Sequence, residues 1–486
     1  MSIDFSGSST GAAITPPIIR YTYLFSAKQN YGFDNKNIAL TIFTSDNKQS
    51  EVREFTMQNK TIPMILFLGV FELAVARTAW CAGFDNNNVG LRGMSMATAY
   101  HGIADDGSAV YYNPAGLALI EKGEMNVEAY AYVIFTKFRY ENETEAGTLK
   151  NESSEIPVIP GGFISQSFDR WGVGLGVAVP YGGGGVVYKN FLESGNTLEA
   201  SAGFFGISAA AAVELVKQYL SIGVTPTIYI GAMENKANPQ PGSDLRMVSE
   251  NSGFAGVGGT LGIMSEVLKD KLKLGLTFRS PVKMRMDGTL TMTSAALPEP
   301  MKSDSTLDFL VPMELTLGVG VTPIPALTLG LTGTVIFHGM MDKITLTSTA
   351  VNPLTGQEET TETPSKTYYK HNFRLALGGE YMIIKQLGVR VGLQFIQSPS
   401  KDEGLVPTSN DVSQLLPSLG LAWNIVKFLE LGVTGQYVIG FERERKGEAS
   451  VPLPDGTVVA VPMTERYDTD HWLLLAGLRF NWDFIE

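Results

Sequence analysis

The residues best suited to chemistry are few, and their spacing argues against most reactions. Asp105 and Asp106 are adjacent carboxylates, a pairing that could serve acid–base catalysis or hold calcium. Within Asp105-Asp106-Gly107-Ser108, however, they read as turn residues hydrogen-bonded to nearby backbone. His101, His338, His371 and His471 are dispersed, with no His-Glu-x-x-His or comparable spacing, so metal chemistry has no support. The one cysteine, Cys81, excludes an intramolecular disulfide framework and a cysteine-rich metal site. Gly93-Met94-Ser95-Met96-Ala97 falls short of the Gly-x-Ser-x-Gly of serine hydrolases and follows no strand pattern. Gly182 to Gly185 come after Pro180 rather than opening a helix, which removes the nucleotide reading. No catalytic residue, metal or cofactor is expected.

The richest local signal is the glycine- and alanine-rich stretch 82–119, which precedes a long series of strand-like segments. It is too irregular to be one of those strands. Asn113-Pro114 forces residue 113 out of the helical region while Pro114 fixes its own backbone. Tyrosine, methionine and leucine distinguish the stretch from a linker, so it reads as a shaped plug.

The elements that would hold such a plug are strands. The chain has 52 glycines, 10% aromatic and only 18% charged residues, a balance suited to strands and close packing. Mean hydropathy is +0.06, as expected when strands expose apolar groups only at alternate positions. A net charge of -12 argues against nucleic acid. No run of 18 or more apolar residues follows, so helical membrane spans are not expected. Fourteen strand-like segments run from 124–140 to 470–484, the third at 171–180, joined alternately by tight turns and by polar stretches at 141–155, 234–252, 345–370 and 443–470. A membrane barrel has this asymmetry, and an even count places both termini on the periplasmic side. In the last strand Leu478 and Phe480 share one face and Arg479 and Asn481 the other; in the third, Trp171, Val173, Leu175, Val177 and Val179 oppose Gly172, Gly174, Gly176 and Ala178. That glycine row would let a plug or a ligand approach the backbone closely, and Pro180 to Gly185 would kink or bulge the strand.

At the N-terminus, residues 1–56 show no sustained period and read as an extension upstream of a start at Met57. Residues 57–81 read as a signal peptide, with Lys60 before the apolar core 62–71 and cleavage after Ala76 or Cys81.

The start Ala82-Gly83-Phe84, the run from Ala104 through Asn113-Pro114-Ala115-Gly116 to Ala118, and the segments 174–182, 274–288 and 373–381 together resemble the FadL-type outer-membrane transporters, which carry long-chain fatty acids and aromatic hydrocarbons. The resemblance spans 82–486 and favours cleavage after Cys81. It implies an all-β fold: a 14-stranded antiparallel transmembrane β-barrel, residues 123–486, with an N-terminal hatch, residues 82–122, in its lumen. It also implies a monomer in the outer membrane of a Gram-negative bacterium, among membrane lipid and lipopolysaccharide. There it would take up hydrophobic molecules by passive, ligand-gated diffusion. Long-chain fatty acids are the expected cargo; toluene- or xylene-like hydrocarbons, or a structural or adhesion role, are the alternatives. In the family the third strand is kinked to open a lateral gap, here at Pro180, Gly182, Gly183 and Gly184. Asn113, Pro114, Ala115 and Gly116 match a hatch motif that faces this gap, and Phe84 an aromatic that reaches the ligand pocket. Arg279 and Lys283 are the cations of the Phe278-Arg279-Ser280-Pro281 region that could meet a carboxylate.

Overall fold

The computed structural model describes residues 37–46, 49–58, 85–145, 147–193, 196–237, 245–295, 299–351, 357–409, 411–452 and 458–483. Phe84 and nearly all of the signal segment lie outside them. Two compact units result. In the first, Asn37–Asp46 pairs antiparallel with Gln49–Gln58. The sequence of this hairpin was expected to lack a period; its alternation at Ile38, Leu40 and Ile42 is simply short.

The second unit is a closed antiparallel barrel, fourteen strands among the described residues. It opens with Glu124–Thr144, the divided Gly147–Ser153 and Val158–Ser167, Trp171–Tyr188, Leu198–Val216, Leu220–Ala237 and Arg246–Leu268. The seventh to tenth strands are each in two pieces: Leu272–Arg279 with Val282–Thr293, Met301–Val311 with Glu314–Ile324, Leu327–Ile336 with Lys343–Val351, and Glu358–Lys366 with Asn372–Ile384. Leu387–Ile396, Gln414–Val426, the divided Leu429–Gly440 and Arg443–Pro452, and Val458–Asp483 complete the ring. Closure is by pairing of the last strand with the first, from Asp483↔Glu124 to Met463↔Thr144. A closed ring leaves no unpaired edge, the condition for strands to cross lipid.

Alternation sets the two faces. Leu175 on the third strand is 58% exposed and Leu377 on the tenth 59%, whereas Gly176 and Ala376 between such residues turn inward. The polar stretches 141–155, 345–370 and 443–470, expected as loops, are largely strands that extend past the wall. Lys343–Val351 pairs with Glu358–Lys366 through threonine-rich segments, and Arg443–Pro452 with the start of the last strand. Threonine and valine favour strands whatever their polarity, and Ile344, Leu346 and Ser348 form a buried row that needs no continuous apolar stripe.

The third strand also departs from expectation. It continues to Tyr188 rather than ending at residue 180, because two bulges against the fourth strand, between Ala178 and Tyr181 and between Gly182 and Gly184, absorb the proline and glycines. Gly182 and Gly183 adopt φ of 70° and 99°, open to glycine at little cost. The first bulge reverses the strand's phase, so Val179, expected outward with Val177, is buried.

Candidate functional site: the hatch, the lumen cavity and the kinked third strand

From Asp85 onward the hatch has little regular structure: short helices Leu91–Ser95 and Ala109–Tyr112, and the 3-10 turn Pro114–Ala118. Its buried backbone groups therefore need partners from the wall. Ser221 Oγ donates to Ala115 O at 2.8 Å, Thr225 Oγ1 to Val110 O at 3.1 Å, and Ser418 Oγ to Ser95 O at 2.9 Å. The hatch lies against a girdle of lumen-facing glycines. Leu91 packs at Gly432, Ser95 at Gly420, Met96 at Gly392 and Gly378, Ala99 at Gly330, Gly102 at Gly318, Pro114 at Gly262 and Gly223, and Leu117 at Gly172. The chain thus circles the inner wall from the thirteenth strand back to the third. At most of these places a Cβ on the wall would strike hatch backbone.

Ion pairs fix the circle. Arg92 pairs with Asp105 in the hatch and, at 2.7 Å, with Glu380 on the tenth strand. Arg390 bridges Glu380 (2.6 Å) and Glu430 (3.1 Å), and Arg479 bridges Glu430 and Asp106, the latter at 2.6 Å. Burial pushes the Asp105 carboxyl up, but the Arg92 guanidinium, Lys273 and a hydrogen bond from Tyr100 together outweigh it and hold the group below its ordinary range. Asp106 also accepts from the Ser108 amide at 2.9 Å, the turn expected from the sequence.

Above the hatch lies a lumen cavity of about 180 Å³ lined by Asp85 to Asn88, Ile134, Phe138, Gly182 to Val186, Met233, Ile396 and Leu473. A second cavity, about 740 Å³, is lined by Ile156 to Pro160, Val187, Phe205 and Ala232. Gly183, Gly184, Gly185, Ser201, Ala202 and Met233 line both. The reason is a parting of the wall. The second and third strands pair from Ser167↔Gly172 only as far as Gly162↔Val177, and beyond that Val158 to Gly161 pair with the first strand alone. Beside this gap the hatch entry docks onto the kink: Asp85 bridges Tyr181, and the Asn86 amide donates to Pro180 O at 2.9 Å.

Of the residues singled out from sequence, Gly182, Gly183 and Gly184 line the lumen cavity, and Pro180 holds the hatch entry. Asn113, Pro114, Ala115 and Gly116 are buried elsewhere, against the fifth to seventh strands. Asn113 Oδ1 accepts from the Ala115 amide at 3.2 Å, and its Nδ2 donates to Ile263 O at 3.1 Å. Arg279 turns inward, stacking 4.5 Å from the Tyr111 ring and lying 3.6 Å from Glu314; Lys283 is exposed. Sequence reasoning missed Asp85, Glu314, His338 and Arg374, which form a second buried cluster that meets the lumen cavity at Asp85. The available signal was phase: Arg374 and Glu380 alternate with the outward Phe373, Leu375 and Leu377.

The profile of the family described as outer membrane protein transport protein (OMPP1/FadL/TodX) matches residues 72–484. Outer membrane protein P1 of Haemophilus influenzae is 23% identical over 476 residues, covering 85% of this chain and 97% of that protein. Among solved structures, a Pseudomonas aeruginosa FadL homologue is similar with a TM-score of 0.67 at 16% identity, over 83% of this chain and 100% of that one. The P. putida toluene transporter TodX gives 0.63 at 15% identity, over the same shares. At these identities the likeness to solved structures shows the fold.

Proposed function

The chain belongs to the outer membrane protein transport protein family (OMPP1/FadL/TodX), proteins of the Gram-negative outer membrane, and from that premise we propose that it takes up long-chain fatty acids by passive, hatch-gated diffusion. The observation that carries this reading is the set of residues common to both cavities. Gly183 to Gly185, Ser201, Ala202 and Met233 form a thin partition between the lumen cavity and the groove where the second and third strands part. An apolar solute crosses water poorly, so a chain of apolar sites leading sideways into the membrane lowers its barrier without a continuous water channel. Binding that favours the open arrangement of the hatch shifts its population. The buried Arg374, 3.9 Å from the cavity-lining Asp85, favours a carboxylate-bearing cargo.

A second reading, uptake of monoaromatic hydrocarbons, is favoured by size. The lumen cavity of about 180 Å³ is close to the roughly 150 Å³ of an engineered cavity that holds benzene. Gly184 offers the test. It lines both cavities, has ordinary φ, and a Cβ there would meet only Pro157 Cγ, at 3.5 Å. Gly184→Phe is expected to block uptake of labelled oleate by cells lacking their own hydrophobic transporter, with the barrel still inserted. Loss of toluene uptake alone would select the second reading; unchanged uptake of both would remove the lateral path.

A further inference from the structure

At its first described residue the hatch lays a carboxylate beside a buried guanidinium and an imidazole. Asp85 Oδ2 lies 3.8 Å from His338 Nε2 and 3.9 Å from Arg374 Nη1, beyond hydrogen-bond reach. Arg374 Nη1 is buried with no hydrogen-bond partner among the described residues. The opposite sides of both side chains are committed. Arg374 Nη2 donates to Glu314 Oε2 at 2.8 Å. Asn372 donates its amide to Gln397 O at 2.7 Å, leaving its Oδ1 to accept from His338 Nδ1, also at 2.7 Å. Nη1 and Nε2 therefore face Asp85, which holds them loosely. Asp85 is also the one carboxylate among the residues lining the lumen cavity, and its neighbour Asn86 is bonded to Pro180 in the kink.

We propose that Asp85 stands in for the ligand's own carboxylate: a fatty acid entering the lumen cavity head first displaces Asp85 from Arg374 and His338, and the same displacement frees Asn86 from Pro180. This rests on the reading of the lumen cavity as the cargo's path. The exchange is favoured by charge balance. A buried guanidinium left without a partner is costly, and replacing one anion by another leaves none. Glu314 stays paired with Arg279 and Arg374 throughout. An uncharged chain fills the cavity yet cannot take the place of Asp85, so the acid group acts on opening rather than on binding alone.

The test is equilibrium binding of labelled oleate and of uncharged oleyl alcohol to the full chain in nanodiscs. Asp85→Ala is expected to tighten oleate about tenfold and leave oleyl alcohol unchanged, because the resident competitor is gone. Arg374→Gln is expected to weaken oleate alone. Amide exchange at Asn86 should rise on adding oleate, and not on adding oleyl alcohol. Oleyl alcohol binding with no selective effect of Asp85→Ala on oleate would overturn the stand-in while leaving the cavity reading intact. Failure of both ligands to bind the unaltered chain would overturn both. The isosteric Asp85→Asn, which keeps the packing and removes the charge, must reproduce the alanine result; if it behaves as the unaltered chain, charge competition is not the cause.

Discussion

Arg92 Nη2 lies 2.7 Å from Glu380 Oε2, so a buried ion pair ties the first hatch helix to the tenth barrel strand. Glu380 also holds Arg390, and through it the pairs reach Glu430, Arg479 and Asp106. Removing one partner strands the rest, at a cost of about 3–5 kcal/mol. Glu380→Gln is expected to loosen the hatch while the barrel stays closed. Trypsin cleavage at Arg92 in the folded protein should accelerate at least a hundredfold, with barrel circular dichroism unchanged. Arg92→Leu combined with Glu380→Leu should cost less than the sum of the two single changes, because the pair is removed together.

The girdle makes a steric prediction. A Cβ at Gly223 would lie 2.5 Å from the Ala115 amide nitrogen, and one at Gly262 2.9 Å from Pro114 Cδ. Gly262→Ala is expected to displace the hatch at a cost of about 1–3 kcal/mol and to raise ion conductance in planar bilayers. Gly333, on the ninth strand, has open space at its Cβ, so Gly333→Ala should leave conductance at the basal level.

Much of this arrangement was legible. The inward row Gly172, Gly174 and Gly176 was read as a seat for the plug, and Leu117 and Val110 occupy it. Alternation marked the strands because lipid on one face and the hatch on the other impose opposite polarity. The polar extensions at 343–351 and 358–366 were not legible as strands, since their buried row carries Ser348, Thr363 and Ser365 beside Ile344 and Leu346, which blurs the alternation of polarity. Nor was the Asp85 cluster: Glu314 and Arg374 lie on the eighth and tenth strands and His338 on the 3-10 turn that divides the ninth, and only the register of these neighbouring strands brings them to the hatch entry. Asn113-Pro114 stood out as a motif, but its spacing could not tell a turn facing the gap from one packed on Gly223 and Gly262.

Asn113 supplies a second anchor to test. It is fully buried, accepts from the Ala115 amide and donates to Ile263 O across the interface with the sixth strand. Asn113→Ala leaves a buried amide unsatisfied, costing about 1–3 kcal/mol. Hydrogen exchange at Ala115 should quicken by roughly tenfold or more. Exchange at Leu91, whose amide is held at 2.9 Å by Glu128 on the first strand, should be unaffected.

His101 makes the hatch sensitive to acid. Burial, aided by Arg279 and Arg374 and opposed by Glu314, pushes its imidazole down to about 3. The ordinary value is near 6.5, so the seated hatch prefers the neutral ring. Stability from this preference is complete above pH 6.5 and is lost as pH falls toward 3, at up to about 1.4 kcal/mol per pH unit. Asp85 has the opposite sign: its raised carboxyl favours the seated hatch at low pH and weakens it as pH rises through its folded range. The informative quantity is therefore the difference between the unaltered chain and His101→Gln. Protease resistance of the hatch should fall more steeply between pH 6 and pH 4 in the unaltered chain than in the variant. Parallel curves would place the acid response on the ion pairs instead, because glutamine keeps the polarity of the ring and loses only its proton.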